Sequence, residues 1–303
     1  MIPEFPNFKN FDLDDKKDVE VFTSRFNPYS DFNFASLWLW SLDKKMMISQ
    51  LNKNLVVLFF DYVSSKPFIS FMGSNMIPET ASTLIKYSKE KFQTDFLKFV
   101  PEEVARFLPE SEFTIIPDKD SHDYIYYIPD LANMHMVWKK TLGKDVRQFM
   151  KLYSDYKVVD YSIQDAPKTE CEKLFNKWAE NKKISNYLEI NEYKAFQKLF
   201  QMKDINMRVV CLYVNKVLVG FTVYEILPNN FVMSHFAKAD TTYHRSINSI
   251  LNLEEAKILN SKGMKSVNWE QDLGIPGLRE SKLKYRPSFF LEKFIVKLVD
   301  KNN

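Results

Sequence analysis

The spacing of apolar positions along this chain switches repeatedly between a helical period and a strand period. Asp12 precedes an amphipathic stretch running to about Phe26, with Asp14 and Asp15 in its first turn. This predicts a helix N-capped by Asp12. Pro28 ends it, because the residue before a proline disfavours the helical region. Ser30 or Asp31 is placed to cap a second helix, Phe32 to Ser41, carrying Phe34, Leu37, Trp38 and Trp40. Three strand-like runs follow, Lys45–Gln50, Leu55–Asp61 and Phe68–Met72, the first two joined by the polar turn Leu51-Asn52-Lys53-Asn54. Pro78 suits an early helix position, and Thr83, Leu84, Tyr87 and Ser88 keep helical spacing after it. Short pieces then read as strand Phe96–Val100, helix Pro101–Leu108, and strands Phe113–Ile116 and Tyr124–Ile128.

After Pro129 the order repeats. Ala132 to Tyr153 reads as a long basic helix with Gly143 inside it. Strand Tyr156–Ser162, helices Lys168–Asn181 and Ile190–Met202, and strands Met207–Val214, Val217–Leu227 and Phe231–Ala237 come next. A helix from about Ser246 to Ser261 is closed by Gly263 at a natural C′ position. Strand Lys265–Trp269, a Gly-containing turn, a short basic helix and a closing strand Phe289–Leu298 complete the chain. Helices, then an antiparallel meander, then helix and strand, twice over, define an α+β protein of two mixed units. The expected division is 1–130 and 131–303, consistent with roughly 150 residues per domain for 303 residues.

Composition narrows the class. An apolar fraction of 45% supplies enough surface to offset chain entropy, which excludes dominant disorder. Only two cysteines, Cys171 and Cys211, exclude a disulfide scaffold and suit a reducing compartment. No basic segment followed by an apolar run opens the chain, and no run approaches about 18 apolar residues, so a cytoplasmic location without a membrane span is expected. A peripheral membrane contact remains open. A net charge of +3 gives the whole chain no strong preference, so any anionic partner would have to meet a local basic patch.

The densest polar cluster is Asn268 to Pro287. Gly274 and Gly277 flank Pro276, and such a loop lets backbone approach a ligand. Glu270 and Asp272 share a strand face if the strand continues, with Gln271 opposite. Arg279, Lys282 and Arg286 fall at helical spacing, one basic stripe. Carboxylates beside that stripe can hold an amine and an anion together; the plain alternative is a polar turn with a solvated helix. Lys140, Lys144, Arg147 and Lys151 make one positive helix face, either a phosphate grip or a solvated surface. His235 reads first as a core or interface histidine, with catalysis as the alternative. His244 and Arg245 precede a helix whose N–H groups can receive an anion, or form a capping loop. His122 and His135 have no carboxylate or cysteine at metal spacing, and no C-x-x-C or H-E-x-x-H occurs, so no metal is expected.

The run Glu-Gln-Asp-Leu-Gly-Ile-Pro-Gly-Leu-Arg at 270–279, with Ser281-Lys282 and Tyr285-Arg286-Pro287, resembles the signature of the phosphatidylglycerol lysyltransferase C-terminal-domain family. Phe289-Phe290-Leu291-Glu292-Lys293-Phe294 is similar to its closing strand, and Pro28–Phe34 with Ser36–Trp40 to its N-terminal block. The resemblance spans Phe8 to Phe294. It implies two tandem acetyltransferase-like (GNAT) domains, with relatedness to enzymes that move an aminoacyl group from aminoacyl-tRNA onto a lipid headgroup or, in the Fem relatives, a cell-wall peptide. Two departures stand out: Asp145 lies about where the family carries Asn, and Tyr243-His244-Arg245-Ser246 opens a helix where relatives often have Gly.

An aminoacyl ester is already activated, so the reaction needs juxtaposition and proton removal rather than a cofactor. The resemblance therefore implies Glu270 or Asp272 as catalytic carboxylate, holding the aminoacyl ammonium or serving as base. Gln271, Arg279, Lys282, Tyr285, Arg286, His235, Tyr243 and Arg245 are the expected substrate contacts, and Lys140, Lys144, Arg147 and Lys151 the expected tRNA contacts. The acceptor is left open among lipid headgroup, peptide and small amine. Two other classes compete. An acyl-CoA-dependent N-acyltransferase usually needs a Gly-containing loop to cradle the pyrophosphate, and Asp240–Asn248 contains none. A non-catalytic ligand-binding descendant would keep the fold without the activity.

Overall fold

The computed structural model describes residues 1–44, 46–61, 66–134, 141–181, 187–202 and 205–299. Among these the strands are β1 (Lys9–Asn10), β2 (Met47–Leu51), β3 (Asn54–Phe60), β4 (Pro67–Met72), β5 (Phe96–Pro101), β6 (Phe113–Pro117), β7 (Asp123–Tyr127), β8 (Lys157–Ser162), β9 (Met207–Val214), β10 (Val217–Leu227), β11 (Phe231–Ala239), β12 (Ser266–Asn268), β13 (Phe289–Leu291) and β14 (Lys293–Leu298). The α-helices are α1 (Lys16–Thr23), α2 (Phe34–Trp40), α3 (Ile77–Phe92), α4 (Glu102–Ala105), α5 (Ile128–Ala132), α6 (Thr141–Leu152), α7 (Lys168–Asn181), α8 (Tyr187–Leu199), α9 (Ile247–Ser261) and α10 (Pro276–Leu283).

Two compact units are present, and each is discontinuous in sequence. The first comprises Met1–Asp123, Gln271–Glu280 and Phe290–Asn303; the second comprises Tyr124–Glu270 and Ser281–Phe289. A single cut after residue 130 does not describe this exchange of C-terminal segments.

The sheet of the first unit runs β1-β2-β3-β4-β5-β14-β6. β2, β3 and β4 form an antiparallel meander, β4 and β5 pair in parallel, and β14 lies antiparallel to both β5 and β6. β3 is buried at every position but the last, as expected of an apolar run covered on both faces. Gly73 follows β4 because Asn54 occupies the space a Cβ would need. The Asn54 amide donates to Asn75 O at 2.7 Å and accepts from Asn75 N–H at 3.1 Å, fixing the entry to α3. The cap of α2 is Asn33, whose Oδ1 accepts from Ser36 N–H at 2.9 Å, rather than the expected Ser30 or Asp31. Those two side chains are committed elsewhere. Lys293 Nζ bonds Asp31, Asp123 Oδ1 at 2.7 Å and Ser30 Oγ at 3.1 Å, inside the unit.

The second sheet runs β13-β7-β12-β11-β10-β9-β8. β8 to β11 are antiparallel neighbours, β11 and β12 are parallel, and β12 is antiparallel to β7. Alternation along β10 distributes its side chains to two layers. Tyr224 belongs to the apolar cluster with Ile250, Leu253 and Ala256 of α9, whereas Phe221 stacks near Phe196 of α8 with ring centroids 5.3 Å apart. Gly263 takes φ +75° just past α9, and Met264 N–H reaches back to Leu259 O, the expected left-handed closure.

The expected closing strand Phe289–Leu298 is two strands: β13 edges the second sheet and β14 inserts between β5 and β6 of the first. A strand-like run interrupted midway by Glu292 and Lys293 does not reveal that its two ends satisfy different sheets. Of the expected helix Ala132–Tyr153 only part is described. α5 ends at Ala132, Thr141–Leu152 is helical, and residues 135–140 lie outside the described set.

Candidate functional site

The parallel pair β11–β12 is short. Its register covers Phe231–Met233 against Ser266–Asn268, and beyond Met233 the strand β11 continues without β12 beside it. At that divergence β11 carries a bulge. Val223 pairs with Phe236 and Tyr224 with Ser234, which leaves His235 as the extra residue. A bulge re-aims the side chain it carries. His235 here faces two carboxylates: Nδ1 lies 3.1 Å from Glu270 Oε1, and Nε2 lies 3.4 Å from Glu225 Oε2. Glu225 reaches it from β10, on the same face as Phe221.

The turn after β12 fixes the third member. Asn268 is fully buried, and its Oδ1 accepts from Glu270 N–H at 2.6 Å. Glu270 adopts φ +58°, the left-handed region, so the strand does not continue through it. Its carbonyl accepts from Tyr124 N–H at 3.2 Å and from Lys282 Nζ at 3.2 Å, and Lys282 also bonds Trp269 O. Trp269 is itself packed against Tyr126 and Tyr285, with centroids 4.2 and 5.0 Å away.

Burial alone would push the His235 imidazole toward the neutral form. The hydrogen bonds and charges of Glu225 and Glu270 outweigh it and raise its pKa to about 9. That direction favours the imidazolium at neutral pH, with one nitrogen turned to each carboxylate. The three side chains are unequally covered: His235 is 2% exposed, Glu225 6% and Glu270 20%. Glu270 is the member that meets solvent.

The remaining expected residues are placed as follows. Asp272 is fully buried in the first unit, where Arg279 Nε and a terminal nitrogen contact it at 2.7 and 2.8 Å. Arg279 also bonds Asp120 at 2.6 Å. Gln271 donates to Asp31 Oδ1 at 3.4 Å in the same unit. Glu270 and Asp272 are thus not two members of one strand face; the left-handed turn and the boundary between units separate them. Arg279, Lys282 and Arg286 are not one basic stripe either. Arg279 is ion-paired, Lys282 is buried against carbonyls, and Arg286 is exposed beyond the end of α10. Tyr285 is a core residue, its hydroxyl 3.1 Å from Ser249 Oγ. Tyr243 is half-buried, and Arg245 projects outward to pair with Asp145 at 2.6 Å. Lys144, Arg147 and Lys151 are exposed on α6; Lys140 lies outside the described residues.

Glu225 was not among the expected residues. The signal for it existed: a carboxylate at an inward position of the otherwise apolar run Val217–Leu227 must be paired if buried. Among the described residues no group of three or more His, Cys, Asp and Glu side chains is arranged to hold a metal, and no helix is long and apolar enough to cross a membrane.

The two meander-plus-parallel-pair sheets, each flanked by helices, define a tandem GNAT-like α+β protein. Residues 23–297 match the family model described as phosphatidylglycerol lysyltransferase, C-terminal, and the chain belongs to that family. No curated protein matches. Among solved structures, a conserved protein of unknown function from Bacteroides thetaiotaomicron is 25% identical, with a TM-score of 0.82, covering 99% of this chain and 100% of that one. L-PGS from Bacillus licheniformis is 12% identical, with a TM-score of 0.63, covering 100% of this chain and 95% of that one. The C-terminal domain of a protein described as a lysylphosphatidylglycerol synthetase, from Agrobacterium fabrum, is 9% identical with a TM-score of 0.59, over 94% and 92% of the two chains. At these last two identities the likeness concerns the fold.

Proposed function

We propose that this protein is an aminoacyltransferase that takes its aminoacyl group from aminoacyl-tRNA, with Glu270 as the carboxylate that receives the amine end of that group. The observation carrying this reading is the position of Glu270. It is the most exposed member of a carboxylate–histidine cluster, held at the divergence of β11 and β12 by His235 on its side chain and by Asn268 and Lys282 on its backbone. An oriented carboxylate pairs strongly with an ammonium. Anchoring the ammonium places the neighbouring ester carbon for attack, and such positioning lowers the barrier without a covalent intermediate. Asp272 takes no part, being occupied by Arg279.

Family membership supports aminoacyl transfer as the chemistry and a lipid headgroup as the first acceptor to try. Exposed Lys144, Arg147 and Lys151 are the candidate tRNA contacts. Binding through such contacts weakens steeply with salt, so a salt titration of total tRNA binding, in the parent and with these three residues changed to Glu, tests the donor. The function is tested by transfer of radiolabelled amino acids from a charged total-tRNA pool into lipid, peptide and small-amine fractions. Label enters one fraction with the parent protein and is lost with Glu270→Gln. Label that moves equally well with Glu270→Gln removes Glu270 from the reaction.

A further inference from the structure

We propose that Glu225 is a positioning residue: it anchors the far side of the His235 ring so that Nδ1–H is presented to Glu270. The inference rests on the reading of Glu270 given above and adds a residue to it. Three observations carry it. His235 is the extra residue of the bulge opposite Val223 and Tyr224, and a bulge re-aims the side chain it carries. Glu225 belongs to that same neighbouring strand and accepts at Nε2, 3.4 Å away, while Glu270 accepts at Nδ1, 3.1 Å away. The Glu225 side chain is 6% exposed and the Glu270 side chain 20%, so one carboxylate is the inner anchor and the other faces outward.

Charged groups reach His235 from β10 through Glu225 and from the turn after β12 through Glu270. With both in place the ring keeps its second proton at neutral pH. Without Glu225, burial is opposed by one carboxylate fewer. The ring then becomes neutral over part of the physiological range and can take the tautomer that does not donate to Glu270. Glu225 thereby determines what Glu270 presents, without touching a substrate.

The test uses the full chain and reads His235 directly. The ring signals are followed by NMR against pH in the parent, Glu225→Gln and Glu225→Asp, with His235→Gln identifying the signal among the 4 histidines. His235 titrates near pH 9 in the parent. It moves down by about one pH unit or more in Glu225→Gln, and by less in Glu225→Asp, which keeps the charge at a greater distance. A merely structural Glu225 would lower the melting temperature and leave the titration where it was, and that result overturns the proposal. If Glu225→Gln does not fold, Glu225→Asp carries the same test. In the transfer assay Glu225→Gln lowers kcat about 10- to 100-fold with the donor KM unchanged, and adds little on a Glu270→Gln background. Additive losses also overturn it. Absence of transfer by the parent protein overturns the aminoacyltransferase reading, while the titration still decides whether Glu225 sets the state of His235.

Discussion

Each unit buries a cation between two carboxylates, and the two clusters differ in what surrounds them. In the first unit Lys293 sits between Asp31 and Asp123, with all three side chains at most 1% exposed. Ser30 adds its hydroxyl and backbone N–H, the latter at 2.7 Å from Asp123. That cluster is buried from solvent and ties Ser30 and Asp31 to β7 and β14. In the second unit His235 sits between Glu225 and Glu270, at a bulge where two parallel strands part, and one carboxylate faces outward. The same charge pattern serves as a rivet where the sheet is continuous and as a candidate reaction centre where it opens.

Removing the cation from each cluster sharpens that contrast. Lys293→Met strands two buried aspartates and lowers the unfolding free energy by about 3–5 kcal/mol in a denaturant titration. His235→Gln costs less, about 1–3 kcal/mol, since Glu270 turns to water and a donor remains for Glu225. Equal losses would mean that the two clusters do the same structural job.

The pH dependence separates them further. His235 rises from an ordinary value of 6.5 to about 9 in the fold. Its contribution to stability is complete below the lower value, where both folded and unfolded chains bind the proton. It is lost as pH rises through about 9, where the folded chain gives the proton up. Stability therefore declines from pH 7 to 9.5, and His235→Gln flattens that decline. A wild-type chain equally stable at both pH values contradicts a cationic His235. Glu255 adds to the same trend. Burial in α9 pushes its carboxyl from 4.5 to about 8, with a nearby Asp160 acting in the same direction and a hydrogen bond from Thr222 against it. One of its oxygens has no partner. Glu255→Gln keeps the shape and removes the ionisation, so it stabilises the fold at pH 8.5 by on the order of 1–3 kcal/mol. Arg279→Ala also strands a carboxylate, the fully buried Asp272, but the guanidinium it removes is 38% exposed, so the loss is smaller than for Lys293→Met, about 1–3 kcal/mol.

Local chemistry was legible in the sequence. Helix α7 and strands β9 and β10 coincide with the ranges expected from period alone, and Asp12 forms a capping box with Asp15 as a first-turn acid should. What could not be read are the partnerships made across the sequence. His235, Glu225 and Glu270 meet because of a bulge and a left-handed turn, and neither has a composition signal when the residues involved are not glycine. Lys293 lies in a run that reads as an ordinary closing strand, although β14 is an inner strand of the first sheet and the lysine is buried. Lys282 and Arg279 share the spacing of a solvated basic stripe. One is spent on carbonyls and the other on Asp272. Spacing fixes which residues share a helix face and says nothing about which of their charges are already paired.

The central claim is that the outward carboxylate of the open cluster meets the aminoacyl group. The most direct measurement is transfer of label from charged total tRNA by the parent protein and by Glu270→Gln, with melting temperatures taken in parallel. The account predicts transfer by the parent, a loss of about 100-fold or more with Glu270→Gln, and melting temperatures that nearly coincide. Full transfer by a folded Glu270→Gln variant would contradict it.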